Sequence, residues 1–273
     1  MMATVEFRLL GPVEAWRGTS EIALDGPKQR TVLAALLLSG KKLVSDEELG
    51  SVLWGENAPA TFNAQIYTYV SRLRKYLRDA VKITRKNPGY SIVVNYGRLD
   101  VDEFEACADL GDAAMRAGDF EGAVRHYRAG LAHWRGPALT NTTDHLVGIE
   151  RQRLEETRLA VQEACIDAEV ALGASQRLVP ELTGLVARYP LRETFRSQLM
   201  IALYRCTRQA DALAVYEEGR RLLADELGVD PGTAMRRVHL AVLGGERWLS
   251  EPSPSRKGTF PHPLAHPYPQ LAV

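Results

Sequence analysis

The sequence predicts a mainly α protein with a small β component: an N-terminal winged helix-turn-helix followed by an all-α domain of tetratricopeptide-like helical repeats. Three observations carry that prediction. Residues 5–94 read in order as three short strands, a helix, a second helix, a loop, a third helix and a hairpin. From about residue 101 onward, apolar residues recur at helical spacing between tight polar turns. The charge is also divided. The 273 residues carry no net charge, yet residues 1–100 hold 14 Lys/Arg against 10 Asp/Glu, and residues 101–273 hold 20 against 24. Such asymmetry is a sign of a polyanion-binding module joined to a second part.

Each element follows from local sequence. "VEFRLLG", "VEAWRG" and "EIALD" alternate as strands, punctuated by Gly11-Pro12 and Gly18-Thr19. "GPKQRTVLAALLLSG", residues 26–40, reads as a helix with Pro27 at its first turn and Gly40 at its stop. "SDEELGSVLW", 45–54, reads as a second helix capped by Ser45, with Glu48 completing a capping box. "GENAPA", 55–60, is a loop, and 61–79 is the third helix. "VKITRKNPGYSIVV", 81–94, is a hairpin turning at Asn87-Pro88-Gly89.

In the second part, "VDEFEACADLGDAAMRAG" pairs with "DFEGAVRHYRAGLAHW", with Ala113, Ala114, Ala117, Gly122 and Ala123 expected at their crossing. "RLVPELTGLVARYP", "LRETFRSQLMIALYRCT" and "RQADALAVYEEGRRLLADELG" repeat the scheme in degenerate form. Stacked helix pairs bury one face and leave a concave surface for partners. Six of the 14 prolines fall in 250–273, which predicts a disordered tail. The predicted division is therefore 1–97, 98–248 and a tail over 249–273.

Composition excludes several classes. No run approaches the roughly 20 apolar residues of a bilayer span, and the N-terminus lacks the basic-then-apolar pattern of a signal peptide. Cys107, Cys165 and Cys206 are distant, odd in number and placed in helical patterns, so they read as buried free thiols and not as a disulfide or metal site. A cytoplasmic, nucleoid-associated protein is expected. His262 and His266 sit in the Pro-rich tail without Cys or acidic neighbours, and His126, His133 and His145 fall in or near helical patterns. No metal, no cofactor and no catalytic residue is expected. G-x-S-x-G, H-E-x-x-H, C-x-x-C and the phosphate-loop motif are all absent.

The chemistry concentrates in the third helix and the hairpin. At about 100° per residue, Ile66, Val70, Leu73 and Leu77 form one core stripe. Thr68, Ser71, Arg72, Lys75 and Arg78 lie opposite, with Arg74 on the flank. A solvated helix face usually interleaves Glu with Lys; here only Asp79, at the end, is acidic. A cationic face with small hydrogen-bonding residues fits the major groove of double-stranded DNA. The hairpin places Thr84, Arg85, Lys86 and Asn87 at its tip, where a cation can enter an adjacent minor groove.

"GPKQRTVLAALLL", Leu53-Trp54, "YVSRLRKYL", the hairpin ending in "NPGY", and "ADELGVDPG" at 224–232 together resemble an OmpR-type winged helix followed by a bacterial transcriptional activation domain. More specifically, they resemble the Streptomyces antibiotic regulatory protein (SARP) family over about residues 1–245. The resemblance implies an activator that binds promoter direct repeats near the −35 element, as a dimer on DNA. It implies recruitment of RNA polymerase holoenzyme, including sigma factor, at a secondary-metabolite gene cluster. It assigns base readout to Arg72, flanked by Gln65, Thr68 and Tyr69. It assigns phosphate contacts to Lys28, Arg30, Trp54, Arg74 and Lys75, and the minor groove to Thr84, Arg85, Lys86 and Asn87. Trp54 reads equally as a core anchor, and the loop 55–60 lies where OmpR-type regulators approach polymerase.

Two departures bear on control. OmpR-type regulators carry an aspartate-bearing receiver ahead of the winged helix, and none is visible here. Larger family members continue into an ATPase, and this sequence has no phosphate-binding loop. The competing reading is a helical-repeat adaptor whose basic helix binds an acidic protein.

Overall fold

The structure, a computed structural model, describes residues 4–250. The expected Pro-rich segment beyond Ser250, with its two histidines, lies outside the described residues. In chain order the elements are strands β1 (Val5–Arg8), β2 (Glu14–Arg17) and β3 (Ser20–Glu21), helix α1 (Gly26–Leu38), strand β4 (Val44–Ser45), and helices α2 (Asp46–Trp54) and α3 (Phe62–Leu77). Strands β5 (Val81–Lys86), β6 (Gly89–Val94) and β7 (Gly97–Leu99) follow. Then come α4 (Asp100–Ala117), α5 (Phe120–Leu131), the short α6 (Asp144–Leu146), α7 (Gln152–Ala171), α8 (Ser175–Arg188), α9 (Glu193–Arg205), α10 (Gln209–Leu227), α11 (Thr233–Gly244) and α12 (Arg247–Ser250). The described residues form two compact units: 4–109 with 128–160, and 110–127 with 161–250.

In the first unit a sheet of order β3-β2-β1-β7 packs its alternating apolar side inward, with Val5, Phe7 and Ala15 fully buried. β1 pairs antiparallel with β2 and parallel with β7. The third predicted strand is shorter than expected, because only Ser20–Glu21 pairs with β2. The helix-turn-helix core is Leu33, Leu36, Leu37, Leu49, Leu53, Ile66, Val70, Leu73 and Leu77, all buried. Removing such side chains from water is worth about 1.5–3 kcal/mol each.

Ser45 caps α2 as its sequence predicts. Its hydroxyl accepts from the Glu48 amide at 3.1 Å, and the Glu48 carboxylate accepts from the Ser45 amide at 2.7 Å. Those bonds hold the Glu48 carboxyl below its ordinary pKa. The third helix stops earlier than expected. Arg78 adopts φ 49°, and the chain tightens into a 3-10 turn over Arg78–Ala80 before β5.

The second unit is built around α9, which packs against α8, α10, α11 and α12. Surrounded on several sides, α9 is buried almost all round, from Phe195 through Leu203. Its Arg196 is only 2% exposed; the guanidinium donates to the Pro190 carbonyl at 3.0 Å and reaches Glu218 at 3.9 Å. Next to α9, the Asp167 carboxyl of α7 accepts from the Gln198 amide at 2.7 Å. Burial pushes the Asp167 pKa up to about 7, against that hydrogen bond and with the help of the neighbouring Glu163 charge.

Three expectations are corrected. Of the five small residues expected at the α4–α5 crossing, Gly122 and Ala123 are buried and Ala114 is half-buried, but Ala113 and Ala117 are exposed. The closest approaches are made by two other residues: Gly111 faces the Tyr127 ring, and Gly130 faces Cys107 and Phe104. A Cβ at Gly111 would lie 2.4 Å from that ring, so helix α5 can reach α4 only where the side chain is missing. Of the three free cysteines, only Cys165 is buried; Cys107 and Cys206 are half-buried. The chain beyond 101 is not helical throughout, since about 132–143 forms an irregular segment. That segment belongs to the first unit and bonds the stretch after β1: the Arg135 amide donates to the Leu10 carbonyl and the Leu139 amide to that of Leu9.

Candidate nucleic-acid interface

The amphipathic pattern of α3 decides what it presents. Ile66, Val70, Leu73 and Leu77 are its buried residues, as their spacing predicts. Thr68, Ser71, Arg72, Lys75 and the following Arg78 are exposed. Lys75 has no ion-pair partner among the described residues. The Thr68 hydroxyl donates to the Ala64 carbonyl at 2.9 Å, and the Gln65 amide reaches the Thr61 hydroxyl at 3.3 Å.

The two flanks of α3 are tied to different neighbours. On one flank Arg74 donates through Nε and Nη2 to the Ile83 carbonyl of β5, at 3.0 and 2.8 Å. Its guanidinium therefore staples helix to hairpin. On the other flank the Tyr76 hydroxyl donates to the Asp25 carboxylate at 2.9 Å, and the Arg72 guanidinium lies 3.8 Å from the same carboxylate. The hydrogen bond to Asp25 also pushes the Tyr76 phenol up in pKa. Arg17 reaches the Tyr76 and Leu77 carbonyls at 3.4 Å, a cation at the C-terminal end of α3.

The hairpin is anchored to the start of α2. β6 pairs with β4 as well as β5, and the Asp46 amide donates to the Pro88 carbonyl at 2.9 Å. Gly89 is required there, because a Cβ would sit 1.9 Å from the Val44 carbonyl oxygen. Arg85 forms a bidentate pair with Asp46 at 2.5 and 2.7 Å and lies 4.6 Å from the Tyr90 ring centroid. That pairing raises the Arg85 pKa. The tip residues Lys86, Asn87 and Pro88 are exposed, and Lys86 has no ion-pair partner among the described residues. Thr84 is half-buried.

Lys28, in the first turn of α1, stands over the Trp54 ring at 4.8 Å. Trp54 closes α2 and is half-buried, and Arg30, two residues after Lys28, is half-buried as well. The structure thus separates the cations into two groups. Arg74 and Arg85 spend their donors on the fold. Arg72, Lys75 and Lys86 point charge outward, Arg72 with a loose acidic neighbour.

Asp25, Tyr76, Arg17 and the exposed Tyr67 belong to this surface and were not predicted from sequence. Asp25 is a capping-type residue ahead of Gly-Pro, yet its side chain makes no cap bond and turns to α3. Asp25 lies 51 residues from Tyr76 and Arg17 lies 59, which leaves no local signal for either.

With that geometry in place, known proteins can be set beside the chain. Residues 20–92 match the family "Transcriptional regulatory protein, C terminal", and residues 99–243 match "Bacterial transcriptional activator domain". The Regulatory protein AfsR of Streptomyces griseus is 39% identical over 249 residues, covering 91% of this chain and 26% of AfsR. The Regulatory protein DnrI of Streptomyces peucetius is 31% identical over 261 residues, covering 92% of this chain and 96% of DnrI. A solved structure of Mycobacterium tuberculosis EmbR in complex with a low affinity phosphopeptide superposes with a TM-score of 0.83 at 33% identity. It covers 89% of this chain and 66% of that one. The chain therefore spans only a quarter or so of AfsR, while it matches DnrI nearly end to end. Among the described residues no helix is long and apolar enough to cross a membrane, and no group of residues is arranged to hold a metal ion. An OmpR-type winged helix joined to a helical activator domain, shared in order and along nearly the full length of DnrI, places this chain in the Streptomyces antibiotic regulatory protein family of transcriptional activators.

Proposed function

We propose that this protein binds promoter DNA in a sequence-specific manner and activates transcription there by recruiting RNA polymerase holoenzyme. The observation that carries the reading is the outward group of cations on α3 and at the hairpin tip, with Arg74 fastening α3 to the hairpin and Arg85 fastening the hairpin to α2. In this reading α3 enters the major groove and Arg72 makes a bidentate contact with guanine, worth about 1–3 kcal/mol of discrimination. Gln65, Thr68 and Tyr69 flank that contact. Lys75, Lys28, Arg30 and Trp54 meet phosphates, and Arg74 adds field from the groove wall while holding the hairpin. Lys86 enters the minor groove with Asn87, and Thr84 and Arg85 support it.

Residues 1–97 then form the DNA-binding part, 98–248 the part that meets polymerase and its sigma factor, and 249–273 the tail. Two copies occupy direct repeats near the −35 element of a secondary-metabolite cluster, in the cytoplasm. Footprinting on promoters of the neighbouring genes tests this. Protection of two repeats, lost steeply as salt rises, is expected. No protection at low salt, together with retention on an acidic protein partner, would replace it with the adaptor reading. Transcription from that promoter with purified holoenzyme should rise on adding the protein, and a fall would make it a repressor.

A further inference from the structure

Thr143 belongs by sequence to the stretch matched by the activator-domain family, 99–243, but its bonds are made to the helix-turn-helix. Its amide donates to the Thr31 hydroxyl at 2.9 Å, and that hydroxyl donates in turn to the Pro27 carbonyl at 2.9 Å. Its own hydroxyl donates to the Val52 carbonyl at 2.5 Å. Pro27 lies in the first turn of α1 and Val52 in the last turn of α2. The last carbonyls of a helix have no partner within it. Here the Gly55 amide serves Ser51, the Asn57 amide serves Trp54, and Thr143 serves Val52.

Two residues further, the His145 ring lies against Gly55, which has φ 60°; a Cβ there would be 2.5 Å from the imidazole. The other end of the segment is pinned as well, since Asn141 bonds both the amide and the carbonyl of Val13, at 2.7 and 3.2 Å. One short stretch thus holds α1, through Thr31 and its bond to Pro27, and the last turn of α2. Lys28, one residue after Pro27, and Trp54, two after Val52, are brought together beside those bonds.

We infer that Thr143, backed by His145, is a positioning residue for DNA binding: it clamps α1 to α2 so that Lys28 and Trp54 are held together against a phosphate. The inference rests on the DNA-binding reading above.

The test uses the full chain and the duplex mapped by footprinting, with affinity measured across a range of salt. Thr143→Val keeps the shape and removes the hydroxyl. It should weaken binding about fivefold, the scale of one lost hydrogen bond. Its plot of log affinity against log salt should flatten by about 0.9, the loss of one phosphate contact. Lys28→Ala should do the same, and the double variant should be no weaker than either single one. Thr143→Ser should bind as the unaltered chain does. A role in stability alone would lower Tm while leaving the salt slope in place, and its effect would add to that of Lys28→Ala; either result overturns the inference. Should Thr143→Val not fold, the exposed His145→Ala is read in the same way: weaker binding that does not add to Lys28→Ala supports the clamp, and unchanged binding overturns it. If the unaltered chain binds no duplex, the DNA-binding reading falls and the clamp with it. If only the variants behave as the unaltered chain does, the clamp alone falls.

Discussion

Helices α3 and α9 both carry arginines, and they use them in opposite ways. α3 buries one stripe of four residues and is tied at its flanks through Arg74 and Tyr76, so the face opposite the stripe is open and Arg72 is about half exposed. α9 is enclosed by four other helices, and Arg196 is 2% exposed. The Arg196 guanidinium is directed to backbone carbonyls, and burial lowers its pKa. A charge placed in water is available to a partner; a charge placed in the core is committed to the chain. The same contrast operates at short range within the candidate interface, where Arg74 and Arg85 are committed and Lys75 and Lys86 are not.

The contrast can be broken by exchanging the expected effects. Arg196→Ala should be the largest, lowering stability by about 3–5 kcal/mol through a cavity and unpaired carbonyls. Chemical denaturation would measure it, and a loss below about 1 kcal/mol would show that Arg196 is not core-committed. DNA affinity of the folded fraction should not change.

A second test sharpens the role of burial beside α9. The folded pKa of Asp167 is raised from an ordinary 3.8 to about 7. A raised carboxyl favours the folded state while protonated. Its contribution is present below the unfolded pKa and is lost as pH rises toward about 7. Between pH 5 and 8 the Tm of the unaltered chain should therefore fall relative to that of Asp167→Asn, which cannot ionise. Parallel Tm profiles for the two would count against a buried neutral Asp167.

The smallest effect on the fold, and the most specific, belongs to Arg72→Ala. Cognate DNA affinity should drop by about 1–3 kcal/mol. Stability should stay within about 0.5 kcal/mol of the unaltered chain, as for other surface changes. Band-shift titration against the cognate site and a scrambled duplex separates loss of base reading from loss of general charge. Equal weakening on both would move Arg72 to the phosphate group.

Much of this was legible in advance. The core stripe of α3, the Ser45–Glu48 capping box, Pro27 at the start of α1 and the hairpin turn all depend on residues within one or two turns of each other. The strands β4 and β7 were not legible: two or three residues long, they exist because β6 and β1 offer them a ladder. On α4 the crossing with α5 was misplaced for a related reason, since Ala113 and Ala117 are exposed. Alanine and glycine both look small in a sequence, but only the facing ring, Tyr127, shows which position has no room for a Cβ.

The sequence by itself determined the order of elements, the apolar face of each amphipathic helix and the concentration of positive charge in residues 61–90, because periodicity and capping are local. Only the tertiary structure decided which cations remain available and what braces them. A guanidinium is spent or free according to the acceptors that folding brings near it. For Arg85 that acceptor lies 39 residues away, and the Thr31–Thr143 bond spans 112. No local pattern encodes a partner at such a distance; it exists only once the chain has closed on itself.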